Sequence, residues 1–382
     1  MQAYLDNSAT TRPSEGVIAA MSACMREGFY NPSSQYAPAV REFQKLRATR
    51  EALLNAVHGA GGRVIFTSGG TEANNLAILG SVGKMRGKQV VAVSAVEHPS
   101  VLEAFEELRR QGHDVRVIPV NAEGRLDEGP LTQALEDGAS LVSCMQVNNE
   151  TGALLDVQHL RELVRQQKTP ARIHVDGVQG FLRVPFDLRL VDLYTLSGHK
   201  IHGPKGIGAL LTQKDVRLEA RQIGGGQEET LRSGTENTPG IAGLNEAVRE
   251  MRALGEGMVA DLMQKKLHLV EAFRRAVPEL LINGPEPEKG APHIVNLSFP
   301  GVRGEVMLHA LEADGVYAST GSACSSKKLK VSRVLTAMGI SPERAEWALR
   351  FSLSPYTTIE EIDYAAEALN KNYALLKRFR RR

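Results

Sequence analysis

The sequence predicts an α/β protein: a large domain with a seven-stranded, mostly parallel sheet, plus a smaller α+β C-terminal domain. Three observations lead to this. Seven short β-branched or apolar runs recur between residues 64 and 212, most of them separated by stretches with helical spacing. The runs are nearly continuous in apolar residues, as in strands covered on both faces. After Gly226 the alternation stops, and a second set of shorter elements follows.

Ahead of the sheet, Ser14–Phe29 and Pro38–Val57 carry Val17, Met21 and Met25, then Phe43, Leu46, Leu53 and Val57, at helical spacing, so both are expected to pack on the core. Strands are expected at Val64–Thr67, Gln89–Ser94, Val115–Val120, Leu141–Val147, Ile173–Asp176, Val191–Leu196 and Ile207–Thr212, with helices at Ala73–Val82, Pro99–Gln111 and Val157–Gln167. The seventh run follows the sixth after a single Gly-Pro turn. That is too short for a helical crossover, so this pair is expected to be antiparallel. One long helical region, Ala242–Val277, leads to the loop Asn283–Pro292. Strands at His293–Phe299 and Arg350–Leu353 and helices at Gly304–Asp314 and Ile359–Leu376 make up the smaller unit. A boundary near Gly255 assigns residues 14–255 to the large domain and residues 1–13 and 256–382 to the small one.

Composition excludes several classes. With 382 residues, 42% hydrophobic and 24% charged, the chain is neither disordered nor fibrous. A net charge of +2 does not suit nucleic acid as a direct partner, and no apolar run is long enough to span a membrane. Met1–Asn7 has neither the basic region nor the apolar core of a secretory signal. Cys24, Cys144 and Cys324 are widely spaced, without a Cys-x-x-Cys pair for metal or redox work. Reduced thiols in a cytoplasm are expected. The basic stretch after Cys324 and the tail Lys377–Arg382 read as solvated faces, or as surfaces that suit an acidic partner and, for the tail, RNA.

Chemistry-bearing residues gather at the expected strand ends. Lys200 lies between Ser197-Gly198-His199 and a Gly-Pro turn, a corner from which a neutral amine can act as a fixed covalent attachment point. Gly69-Gly70-Thr71 opens a helix after a strand, where backbone N–H groups and the Thr71 hydroxyl can cradle a phosphate; a plain turn with Thr71 as its cap is the competing reading. His98 follows another strand, placed to lie on an aromatic ring or to shuttle a proton. Asp176 ends a third, and an aspartate beside a pyridine nitrogen keeps it protonated, as a pyridoxal cofactor requires. A helix cap is the competing reading of that residue. Gln179 is three residues further on, and Asn148–Gly152 ends the preceding strand in the same way.

These residues, with the segments Tyr4–Thr11, Asn31–Ser34, Phe66–Asn75, Val147–Gly152, His174–Gln179, Ser197–Gly206, Gly224–Asn237 and Ser319–Ser326, resemble nearly end to end the pyridoxal-phosphate-dependent cysteine desulfurases, which are fold-type I enzymes of the class V aminotransferase group. The resemblance implies pyridoxal 5'-phosphate attached to Lys200, His98 stacked on its ring and Asp176 at its nitrogen. Gln179 and Asn149 would bond the ring oxygen or the substrate, and Gly70, Thr71, Ser197 and His199 the phosphate. Thr235 would reach the phosphate of the neighbouring subunit of a homodimer. Asn31 and Arg350 would receive the substrate carboxylate, Arg350 through a bidentate fork. Cys324 would take sulfur from L-cysteine as a persulfide, release alanine and pass the sulfur to an acceptor, such as an iron–sulfur scaffold, a tRNA-thiolation protein or a cofactor-biosynthesis protein. Cys24 and Cys144 are given no role. The same scaffold suits two alternatives, a selenocysteine lyase and a small-amino-acid aminotransferase. No metal site is expected.

Overall fold

The computed structural model describes residues 1–168, 170–320 and 331–379. After a short strand β1 (Ala3–Tyr4), helices α1 (Glu15–Glu27) and α2 (Ala37–Asn55) precede the sheet. The Ser14 side chain starts α1 by accepting from the Val17 N–H, and Pro38 sits in the first turn of α2, where its missing N–H costs nothing.

The large layer then runs β2 (Arg63–Thr67), α3 (Gly70–Gly83), β3 (Val90–Ser94), α4 (Pro99–Arg110), β4 (Asp114–Ile118), α5 (Glu128–Glu136), β5 (Ala139–Met145), α6 (Val157–Arg165), β6 (Arg172–Asp176), β7 (Leu193–Ser197) and β8 (Gly208–Thr212). The strands order as β2-β8-β7-β6-β5-β3-β4. Each of the seven expected runs is one of them. β7 and β8 are antiparallel, as the short Gly-Pro turn requires. Since β8 is antiparallel to β2 as well, β2 points the same way as the parallel strands. The carboxyl ends of β2, β3, β5, β6 and β7 therefore open on one side of the sheet, where ligands bind in folds of this class.

Beyond the sheet, α7 (Thr238–Ala253) and α8 (Gly257–Ala276) replace the single long helical region read from the sequence. The break is at Gly255, in the left-handed conformation (φ 72°) that glycine adopts without penalty. Next come β9 (Leu281–Ile282), β10 (Ile294–Ser298), α9 (Gly304–Ala313), β11 (Val316–Tyr317), α10 (Arg333–Ala337), α11 (Pro342–Glu346), β12 (Ala348–Ser352) and α12 (Ile359–Phe379). β12, β10 and β9 form a three-stranded antiparallel sheet. Phe351 of β12 packs edge-on against Phe273 of α8 and Phe299, with ring centroids 4.9 and 6.3 Å apart.

The N-terminal segment stitches the two layers together. β1 runs parallel to β11, the Asn7 N–H donates to the Ser352 carbonyl, and the Thr11 N–H donates to the His199 carbonyl at 2.9 Å. A chain only a dozen residues long thus connects β12, the strand that carries Arg350, with the turn that carries Lys200. Among the described residues no helix is long and apolar enough to cross a membrane.

Candidate active site

A cavity of about 260 Å³ opens at the carboxyl ends of the sheet strands, and most of the expected site residues line it: Gly70, Thr71, His98, Asn149, Asp176, Gln179, Ser197, His199, Lys200 and Arg350. Ser8, Ala9, Asn74 and Ser100 line it too. Asn31 lies outside the lining, exposed in a turn in which its Oδ1 accepts from the Ser33 N–H at 2.9 Å. Thr235 is also outside and exposed. Cys324 lies outside the described residues.

Each side chain owes its place to a local rule. Lys200 ends a one-turn 3₁₀ segment, Gly198–Lys200, directly after β7, and its Nζ donates to the Ser8 carbonyl at 2.5 Å and the Ala9 carbonyl at 2.8 Å. His98 is the cap of α4 ahead of Pro99. Its Nδ1 accepts from the Ser100 N–H at 3.1 Å and lies 2.8 Å from the Ser100 hydroxyl, which in turn accepts from Asn74. With Nδ1 accepting, the ring proton belongs on Nε2. Burial holds this imidazole below its usual range; the nearby Asp176 opposes that, and Lys200 adds to it. His199 is brought down to about 4, chiefly by burial and then by Lys200 and Lys205, so both imidazoles are neutral at pH 7.

Asp176 ends β6, buried at 4% exposure. Its Oδ1 accepts from the Val178 N–H at 3.0 Å and its Oδ2 from Asn74 Nδ2 at 2.8 Å. It makes no ion pair among the described residues, so a carboxylate is presented to the cavity without a counter-cation. Glu97, next to His98, is a second buried carboxyl: its Oε1 accepts from the Met145 N–H, and burial followed by the Asp176 charge pushes it well up, toward the neutral acid. At the other end of the cavity, the first N–H groups of α3 have no partner within the helix. A Cβ on Gly70 would stand 2.7 Å from Val178 Cγ2, so a side chain there would crowd the entry to the helix. Arg350 is 4% exposed; Nη2 pairs with Asp6 at 2.6 Å and Nη1 donates to the Asn149 carbonyl at 2.9 Å, so the fork expected for a substrate carboxylate is engaged on this chain's own groups.

The donor set suits a pyridoxal phosphate: a helix N-terminus with adjacent hydroxyls for the phosphate, a lone buried carboxylate for a protonated ring nitrogen, a neutral imidazole for the ring face, and a lysine amine between. Residues 3–365 match the aminotransferase class-V family. The chain belongs to that family. The cysteine desulfurase of Sinorhizobium fredii is 39% identical over 94% of this chain and 93% of its own length. Of solved structures, a NifS-like protein superposes with a TM-score of 0.91 at 31% identity, covering 98% of this chain and all of its own. A second, described as SspA in complex with cysteine, has a TM-score of 0.80 at 28% identity, over 93% of this chain and 100% of its own. Members of this family of desulfurases depend on pyridoxal phosphate, and so does this protein.

Four contributors to the cavity escaped the reading of the sequence by residue type. Asn74 stands four residues after Gly70, one turn along α3, so helical spacing alone would have found it. Ser100 follows from the cap at His98. The Ser8 and Ala9 contacts use main-chain carbonyls, which carry no signal in residue type.

Proposed function

We propose that the protein is a cysteine desulfurase that converts L-cysteine to L-alanine and passes the sulfur, through a persulfide on Cys324, to an acceptor protein. What carries this reading is the convergence of Lys200, Asp176 and His98 on one cavity, with Asp176 in no ion pair among the described residues.

When bound, pyridoxal phosphate supplies the electron sink that loosens the Cα–H and Cβ–S bonds of cysteine. Lys200 would hold it and then carry the Cα proton, its Nζ steered by the Ser8 and Ala9 carbonyls. Asp176 would keep the ring nitrogen protonated, His98 would face the ring, and Gly70, Thr71, Ser197 and His199 would hold the phosphate. Gln179 and Asn149 bond the ring oxygen or the substrate. Arg350 would take the substrate carboxylate by giving up Asp6 or the Asn149 carbonyl for it, and Asn31, which lies outside this chain's cavity, would join it only on moving in. The Cys324 thiolate attacks the substrate sulfur: an S–S bond forms as the C–S bond breaks, the bonding pair stays with the carbon skeleton, and a proton there completes alanine. The exposed Thr235 serves the phosphate of a second subunit in a two-fold homodimer. Residues 14–255 form the large domain, residues 1–13 with 256–382 the small one, and the enzyme works in the cytoplasm. The acceptor belongs to iron–sulfur assembly or to tRNA or cofactor thiolation.

The test is incubation with L-cysteine and a reductant, with alanine and protein persulfide measured. Wild type forms both. Lys200→Ala forms neither, at least a thousandfold down. Cys324→Ser keeps the visible absorbance of bound cofactor and forms no persulfide. Undiminished alanine and sulfide from Cys324→Ser overturns the reading. Faster turnover of selenocysteine, or a requirement for a keto-acid acceptor, moves the assignment to a lyase or an aminotransferase.

A further inference from the structure

We propose that Arg183 is a positioning residue for the cofactor: it locks the Gln179 amide so that only N–H faces the cavity, and so selects the anionic form of the cofactor's ring oxygen. The inference rests on reading the cavity as the pyridoxal phosphate site.

Arg183 is 2% exposed and follows Gln179 by four residues in the turn after β6, so the two side chains meet. Its Nη2 donates to Gln179 Oε1 at 3.1 Å and to the Val178 carbonyl at 3.4 Å. On its other side, Gln179 Nε2 donates at 2.8 Å to the Ser8 carbonyl, the same oxygen that receives Lys200 Nζ. A guanidinium only donates and a carbonyl only accepts, so chemistry alone fixes which way the amide faces. Its oxygen is committed to Arg183. What Gln179 has left for the cavity it lines is the second N–H of its amide. A neutral ring hydroxyl accepts that N–H weakly, whereas a ring oxyanion accepts it in a charge-assisted bond, so the donor favours the anion.

The charge balance agrees. Arg183 has no carboxylate in an ion pair, and its Nε and Nη1 have no hydrogen-bond partner among the described residues. A buried cation without a counter-charge is costly to maintain. The titratable groups that face it are Tyr194, His199, His202 and His293, none of them a carboxylate. Burial lowers Arg183 only to about 9, so it stays charged at neutral pH. An oxyanion two hydrogen bonds away, through Gln179, supplies the missing negative charge.

The experiment titrates the visible absorbance of the pyridoxal-phosphate-loaded protein against pH, in wild type, Arg183→Met, Arg183→Lys, Gln179→Ala and the double variant Gln179→Ala/Arg183→Met. A cation that favours the ring oxyanion lowers the midpoint, so Arg183→Met raises it by about one unit, a tenfold change in proton affinity. Arg183→Lys stays near wild type. Gln179→Ala shifts the same way, and the double variant shifts no further than Gln179→Ala. A second readout is the preference for pyridoxal phosphate over an analogue without the ring hydroxyl, which falls about tenfold in Arg183→Met. A folded Arg183→Met with the wild-type midpoint, or additive shifts in the double variant, overturns the inference. If Arg183→Met does not fold, a Gln179→Ala with the wild-type midpoint overturns it equally. A wild type that takes up no pyridoxal phosphate overturns the reading of the cavity and this inference together, whereas binding with no shift in a variant overturns the inference alone.

Discussion

At Gly70 a single absent side chain matters. An added Cβ meets Val178 Cγ2 at 2.7 Å and stands at the mouth of the α3 N-terminus, against which a phosphate would lie. Gly70→Ala is expected to weaken pyridoxal phosphate binding about tenfold, or ~1.4 kcal/mol, with little change in secondary structure. Equilibrium titration of the apoprotein, followed by absorbance, measures this; unchanged affinity removes Gly70 from the phosphate site. Burial makes two of the three cysteines inert. Cys24 and Cys144 are buried, and burial pushes the Cys144 thiol far up, so it is protonated at neutral pH. A thiol-specific reagent at pH 8 is expected to label Cys324 at least tenfold faster than either of these, as read by peptide mass spectrometry.

Between α7 and α8 the chain turns at Gly255, with φ 72° and open space around the site of a Cβ. Because nothing would clash, Gly255→Ala isolates the conformational penalty of placing an L-residue in the left-handed region. It is expected to destabilise the fold by about 1 kcal/mol in denaturant unfolding, without loss of cofactor. The helical periodicity continues through the break, which is why the two helices read as one in the sequence: apolar spacing reports a face, and a single glycine interrupts the backbone without interrupting the face. The central strands obey a different rule. His174 of β6 bridges Ser143 of β5 at 2.7 Å and Thr195 of β7 at 3.1 Å, so a polar side chain is accommodated inside the sheet because both its nitrogens have partners.

For the molecule as a whole, the buried His174 imidazole makes stability fall in acid. Burial lowers His174 from 6.5 to about 3. The unfolded chain therefore binds the extra proton between those values. The contribution of His174 is fully present above about pH 6.5 and is lost as pH falls toward 3, with a slope of up to about 1.4 kcal/mol per pH unit. Glu97 and Glu228 are raised by burial and act in the opposite sense, contributing at low pH and losing that contribution as pH rises through their folded-state values. The His174 effect is thus isolated by difference. His174→Gln is expected to flatten the dependence of unfolding free energy on pH between 6 and 4 relative to wild type, and parallel profiles would refute it.

How much of this was legible beforehand follows from the range over which each signal acts. Strand positions, the antiparallel β7–β8 pair and the residues at the strand ends are written in local patterns, since apolar runs, a Gly-Pro turn too short to cross the sheet and caps such as His98-Pro99 depend on near neighbours. Family resemblance extended that reading to cofactor and chemistry. Which of those ends meet is not a local property. Lys200 is held by Ser8 and Ala9, 192 and 191 residues away, and Arg350 by Asp6, 344 residues away, because β1 joins β11 and the N-terminal segment crosses between layers. Main-chain carbonyls have no residue signature, and a buried cation such as Arg183 reads in sequence like any surface arginine. Its missing counter-charge is visible only once packing has removed the water.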